Sequence, residues 1–115
     1  MVKTKYTKAE VRKIVKELAD ALSAGRIVVD KIILYGSYAN GNARDHSDID
    51  LAVISPSFRG KSMLERQARL AAVLGKYLPI VEPVGYSTED LENAESGTLL
   101  YQIKREGTVL IDRSQ

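Results

Sequence analysis

A mixed α/β fold of the α+β type, with a small mixed sheet of about four strands packed by helices, is predicted by three features of the 115-residue chain. Helical and extended patterns follow one another in the order helix, strand, strand, helix, strand, helix, strand. Only about a dozen residues, with no long helical pattern, separate the first two strands, so these should pair antiparallel. A helix joins the second strand to the third, which favours a parallel, right-handed crossover.

The first helix opens at Thr7-Lys8-Ala9-Glu10, which has capping-box spacing. Behind it Val11, Ile14, Val15, Leu18 and Leu22 recur at helical intervals, and Gly25 is a natural stop. Val28 to Tyr35 is rich in β-branched residues and ends at Gly36, as a buried strand would. The second strand runs from Asp48 to Ile54, with Ile49, Leu51 and Val53 alternating with Asp48, Asp50 and Ala52. Pro56 and Gly60 bracket a turn. Ser62 and Glu65 form another capping-box pair and open a helix to about Lys76, whose expected core face carries Leu64, Ala68, Ala71, Ala72 and Leu74. Leu78 to Tyr86 reads as a third strand, placed at a sheet edge by Pro79 and Pro83. Ser96 is the expected cap of a last helix through Glu106. Gly107 ends that helix, and Thr108 to Ile111 closes the sheet.

The length bounds one domain, residues 1–115, with a single core and no second lobe. Hydrophobic residues at 44% and charged residues at 28% are ordinary for a globular protein. The net charge of +2 is too small to argue for nucleic acid. Positive charge gathers at Lys3, Lys5, Lys8, Arg12, Lys13 and Lys16, which on a helix mostly form a solvated face. Cysteine is absent, which excludes disulfides and thiolate chemistry and fits a cytoplasmic setting. No apolar run reaches the roughly 20 residues of a membrane span. The basic start leads into an amphipathic segment, so no targeting peptide is expected.

Chemistry concentrates between Ile33 and Ile54. Asp48 and Asp50 stand two apart on the second strand and so share a face. Such a pair is either a solvated patch or a ligand pair, and oxygen donors of this kind suit magnesium. Strand interiors disfavour Asp, and here two occur on a strand whose other face is aliphatic. Gly36-Ser37 is by itself an ordinary strand-ending turn. An antiparallel hairpin, however, brings it beside Asp48 and Asp50. There the Ser37 hydroxyl and neighbouring amides can donate to phosphate oxygens, above all if a short helix begins at that point. The parallel crossover carries Glu82 to the same end of the sheet, where it is either a third acid of the site or a glutamate in water. Arg44, in the intervening loop, is a candidate to meet phosphate charge. Ser47 is placed to brace the turn before the aspartates. His46-Ser47-Asp48 cannot act as a hydrolytic triad, because consecutive residues do not converge in that geometry. Tyr38 either stacks on a base or packs.

The run Gly-Ser-x-Ala-x-Gly, a short polar stretch, and then Ser-Asp-x-Asp-Leu resembles the minimal nucleotidyltransferases of the DNA polymerase beta superfamily. The likeness is close over Ile33 to Ile54, and the element order agrees along most of the chain. It implies the nucleotidyltransferase fold, a phosphate turn at Gly36 and Ser37 with Arg44 and Ser47 nearby, and catalytic metal ligands at Asp48, Asp50 and Glu82. Many members carry Asp where this chain has Glu82. The resemblance further implies a two-magnesium site and ATP as substrate, with AMP passed to a hydroxyl. Glu82 would then serve as general base or hold the activating metal.

Three activities follow as expectations. The first is transfer of AMP to a partner protein, as in the antitoxin half of a toxin–antitoxin pair whose other half is a small helical HEPN protein. The second is the same fold acting as a weakly catalytic or inactive binding module that neutralises its partner by contact. The third, a polymerase-like or small-molecule transferase, is disfavoured because larger relatives add helical domains that bind primer, RNA or drug. Nucleic acid is an unexpected partner as well, since the basic helix lacks an interleaved aromatic platform. Homo- and hetero-oligomers both remain open.

Overall fold

The structure, a computed structural model, describes residues 5–114. Lys3 of the basic run lies outside them. Helix α1 spans Lys8–Ala24 and opens on the expected box. Thr7 Oγ1 accepts from the Glu10 N–H at 3.1 Å, and Glu10 Oε1 accepts from the Thr7 N–H at 2.8 Å. These bonds satisfy two of the donors that a helix start leaves without partners. Val11, Val15, Leu18 and Leu22 are buried, and Gly25 is the C-cap.

Four strands form one mixed sheet: β1 at Lys31–Tyr35, β2 at Ile49–Ile54, β3 at Val81–Tyr86 and β4 at Thr108–Asp112, in the order β3-β2-β1-β4. β1 runs antiparallel to β2 and to β4, and β2 runs parallel to β3. Both expected pairings are present, and β3, which holds Pro83, is an edge strand as expected. A short helix α2, Ser37–Asn40, follows β1 directly. Helix α3 covers Met63–Leu74, α4 covers Thr88–Glu92 and α5 covers Leu99–Glu106.

Side-chain alternation gives the sheet two apolar faces. Ile32, Leu34, Ile49, Leu51, Val53 and Val81 meet α1 and α3 in the main core, together with Phe58, Leu70 and Leu74. Ile33, Ala52 and Ile54 form a smaller cluster with Leu91 of α4 and Ile103 of α5. Asp50 belongs to this second face, so α4 and α5 lie on its side of the sheet.

The elements depart from the sequence pattern in six places. β1 begins at Lys31, not Val28, which is 57% exposed and donates its N–H to Ser57 Oγ at 3.1 Å. β2 begins at Ile49, so Asp48 stands just before the strand.

The core face of α3 is Arg66, Leu70 and Leu74; Leu64 is 80% exposed, and Ala68, Ala71 and Ala72 also face out. Two apolar stripes overlap in this helix, and the one with the larger leucines removes more apolar area from water. Arg66 belongs to the buried stripe because its cation is fully partnered. Its guanidinium reaches Asp90 Oδ2 at 2.7 Å, the Lys61 carbonyl at 2.9 Å and the Gly85 carbonyl at 3.3 Å.

β3 starts at Val81, because Gly75–Tyr77 forms a 3-10 turn and Leu78 and Ile80 donate their N–H groups back into it. Finally, α5 is capped by Thr98 rather than Ser96, with Thr98 Oγ1 accepting from the Tyr101 N–H at 3.1 Å. Helix α4, with its Ser87–Asp90 capping box, was not foreseen.

Candidate active site

The turn leaving β1 and the start of β2 form one corner of the sheet. Tyr35 is the direct partner of Asp50 across the antiparallel pair, and Asp50 is the direct partner of Glu82 across the parallel one. Register therefore lines up Tyr35, Asp50 and Glu82 on one face, since directly opposed residues share a side of the sheet.

Gly36 follows Tyr35 with φ 74° and ψ −152°, a region open almost only to glycine. A methyl group there would collide with the Asp50 carboxylate, whose Cγ would stand 3.2 Å away. The glycine thus lets the main chain pass directly over an acid. It then caps α2, so the first N–H groups of that helix open beside Asp50. Ser37 is the first residue of α2. The short helix named in the sequence reading as favouring a phosphate turn is present.

Neighbouring acids act on Asp50. Burial, then the charge of Glu82, a hydrogen bond with Glu82 and the charge of Asp48 push the Asp50 carboxyl up to about 6. Burial, followed by the charges of Asp50, Tyr86 and Glu82, pushes the Tyr35 hydroxyl up to about 12. Asp48 and Glu82 are exposed, while Asp50 and Tyr35 are half-buried. Among the described residues no group of three acidic or histidine side chains is already drawn together as a cation cage. The pair in contact is Asp50 and Glu82, with Asp48 near enough to act on Asp50 through its charge. All three offer only oxygen, the donor that hard divalent ions take. A positive charge at this corner would relieve the repulsion that displaces Asp50, so the residues fit such an ion.

The other candidates fall into two groups. Ser47 braces the turn: its Oγ accepts from the Arg44 N–H at 2.9 Å, and its own N–H reaches the Arg44 carbonyl at 3.0 Å. His46 takes up the left-handed conformation in this turn, with φ 72°. The Arg44 side chain is exposed on the same loop and is not drawn into the acid cluster. Tyr38 packs, as one of its two readings held: its hydroxyl accepts from the Tyr6 N–H at 3.0 Å, and the two rings lie 6.5 Å apart. Tyr35 was missed as a site residue. The signal was in the hairpin, because pairing the end of β1 with the start of β2 places Tyr35 opposite Asp50.

Known proteins agree with this scaffold. The family model described as polymerase beta, nucleotidyltransferase matches residues 16–115. No curated protein sequence matches the chain. One similar solved structure is that of a candidate nucleotidyltransferase from Sulfolobus solfataricus, with a TM-score of 0.60 and 16% identity over 90% of this chain and 78% of that one. Another is a toxin–antitoxin structure with AMP-PNP, with a TM-score of 0.59 and 23% identity over 88% of this chain and 73% of the other. At these identities the two structures speak to the fold. No helix among the described residues is long and apolar enough to cross a membrane. With the family model spanning most of its length, and a Gly-Ser turn set against paired aspartates, the chain belongs to the polymerase beta nucleotidyltransferase family.

Proposed function

We propose that the chain transfers a nucleoside monophosphate, AMP from ATP, to a hydroxyl of a partner protein, as the antitoxin of a pair whose toxin is a small helical HEPN protein. The observation that carries this reading is the contact of the Gly36 turn with Asp50, beside Glu82 and Asp48. A place suited to phosphate thereby adjoins a place suited to a divalent cation. Magnesium, when bound, supplies the positive charge that holds a triphosphate against these acids and eases attack at phosphorus.

Asp48, Asp50 and Glu82 are the residues that would hold it. The Ser37 hydroxyl and the first amides of α2 donate to phosphate oxygens, with Arg44 available from the loop. The acceptor hydroxyl attacks the α-phosphorus, its O–P bond forms, the bond to the β-phosphate breaks, and pyrophosphate leaves. Glu82, exposed on the edge strand, takes the acceptor's proton as general base or holds the metal that activates the acceptor. The partner assignment draws on the likeness to the toxin–antitoxin structure with AMP-PNP. The test is incubation with α-labelled ATP, magnesium and a small helical HEPN protein as the acceptor. Label should pass to that protein with the wild type and not with Asp48→Asn/Asp50→Asn. Neutralisation that persists in the double mutant, without label, would instead make the chain a contact-only binding module.

A further inference from the structure

Between α2 and α5 lies a cavity of about 250 Å³ that shares Tyr35 and Gly36 with the acid corner. Its apolar wall includes Leu99 and Ile103, and its polar lining residues are Tyr35, Asn40, Gln102 and Glu106. This composition, mostly apolar with a few polar groups, is that of a small-molecule site. No cation lines it, so it is not built for phosphate. Each amide offers both a donor and an acceptor, the combination that the edge of a nucleobase presents in mirror image. Glu106 accepts only, and so suits a ribose hydroxyl or an exocyclic amine. The volume falls just under the roughly 300–1,000 Å³ of pockets that enclose a whole drug-sized ligand. It has room for a base and part of a sugar, with the phosphates outside. The larger cavity on the other side of α2, about 350 Å³, carries Lys5, Lys8 and Arg12 and does not include Gly36.

We infer that the groove between α2 and α5 holds the nucleoside half of the triphosphate, with Leu99 and Ile103 against the base and Asn40 and Gln102 reading its edge. The inference rests on the phosphate site proposed at Gly36 and Ser37, and extends it to the part of the substrate that distinguishes one nucleotide from another. Leu99 is 53% exposed at the start of α5, so a larger side chain there fills the groove without entering the core.

The test is calorimetric titration of the full-length chain with ATP and, separately, with inorganic tripolyphosphate, both with magnesium. Leu99→Trp should weaken ATP about tenfold or more while leaving tripolyphosphate within about twofold. Gln102→Ala should narrow the spread of affinities among ATP, GTP, CTP and UTP. If both ligands bind Leu99→Trp as they bind the wild type, or weaken in step, the groove does not hold the base. If the wild type binds tripolyphosphate and ATP equally well, the nucleoside makes no contact and the inference fails while the phosphate site stands. If the wild type binds neither, both fail together.

Discussion

Gly36 and Asp50 are a matched pair, because the glycine's backbone passes where a side chain would strike the carboxylate. Gly36→Ala combines that collision with a conformation disfavoured for any other residue, and should cost about 1–3 kcal/mol in urea unfolding. It should also abolish magnesium-dependent nucleotide binding. Asp50 acts in the opposite sense on stability. Its carboxyl sits at about 6 in the folded chain against an ordinary 3.8. The folded state therefore holds this proton more tightly than the unfolded chain. The resulting stability is present below about pH 4 and lost as pH rises through about 6. With a chelator present, Asp50→Asn should raise the unfolding midpoint at pH 7.5 and leave it nearly unchanged near pH 4. Because the group is partly open to solvent, screening keeps the gain to about 1 kcal/mol or less. An equal midpoint at pH 7.5 would mean that neither burial nor the neighbouring acids disfavour the Asp50 charge. The sequence showed these acids and the turn because their spacing survives in one dimension. It did not show Tyr35, whose place depends on hairpin register, nor that Gly36 is shaped around Asp50.

Among the elements, α3 and β3 fix where Glu82 stands. Gln67 lies along the free edge of β3, where its Nε2 donates to the Pro83 carbonyl at 2.9 Å and its Oε1 accepts from the Gly85 N–H at 3.2 Å. One side-chain amide thus occupies edge groups that would otherwise invite another strand. Gln67→Ala should cost about 1–2 kcal/mol by chemical denaturation, the sum of two such bonds. An unchanged midpoint would contradict the clamp. The register of α3 has its own test. Leu70→Ala should cost about 2–5 kcal/mol, and Leu64→Ala should stay within about 0.5 kcal/mol. The reverse result would restore the face that the sequence pattern suggested. That face was misread because periodicity weighs an alanine like a leucine and an arginine as solvent-facing. Burial of Arg66 depends on Asp90 and the Gly85 carbonyl, both distant in sequence, as well as on the nearby Lys61 carbonyl. Burial works to raise the Asp90 carboxyl, but the Ser87 N–H and the Arg66 guanidinium outweigh it and hold the group below its usual range.

At the scale of the whole molecule, element order and local signals were enough for the sheet. Capping boxes at Thr7 and Ser62, alternation in β2 and a helix between β2 and β3 led to both pairings that frame the site. What they left out is tertiary: the place of β4 beside β1, helix α4 against the second face, and the groove where α5 meets α2. Close packing also ties the site to the core. A methyl group on Gly85 would stand 2.8 Å from the buried Phe58 ring, so β3 can lie against the main core only with glycine there. The central claim, that Asp48 and Asp50 at this corner bind a nucleotide through a divalent ion, is tested most directly by calorimetric titration of ATP with magnesium. The wild type and Asp48→Asn/Asp50→Asn would be compared. Magnesium-dependent binding by the wild type, lost in a double mutant that remains folded, is the predicted result. Binding that survives in the double mutant, or a folded wild type that takes up no ATP, would contradict it.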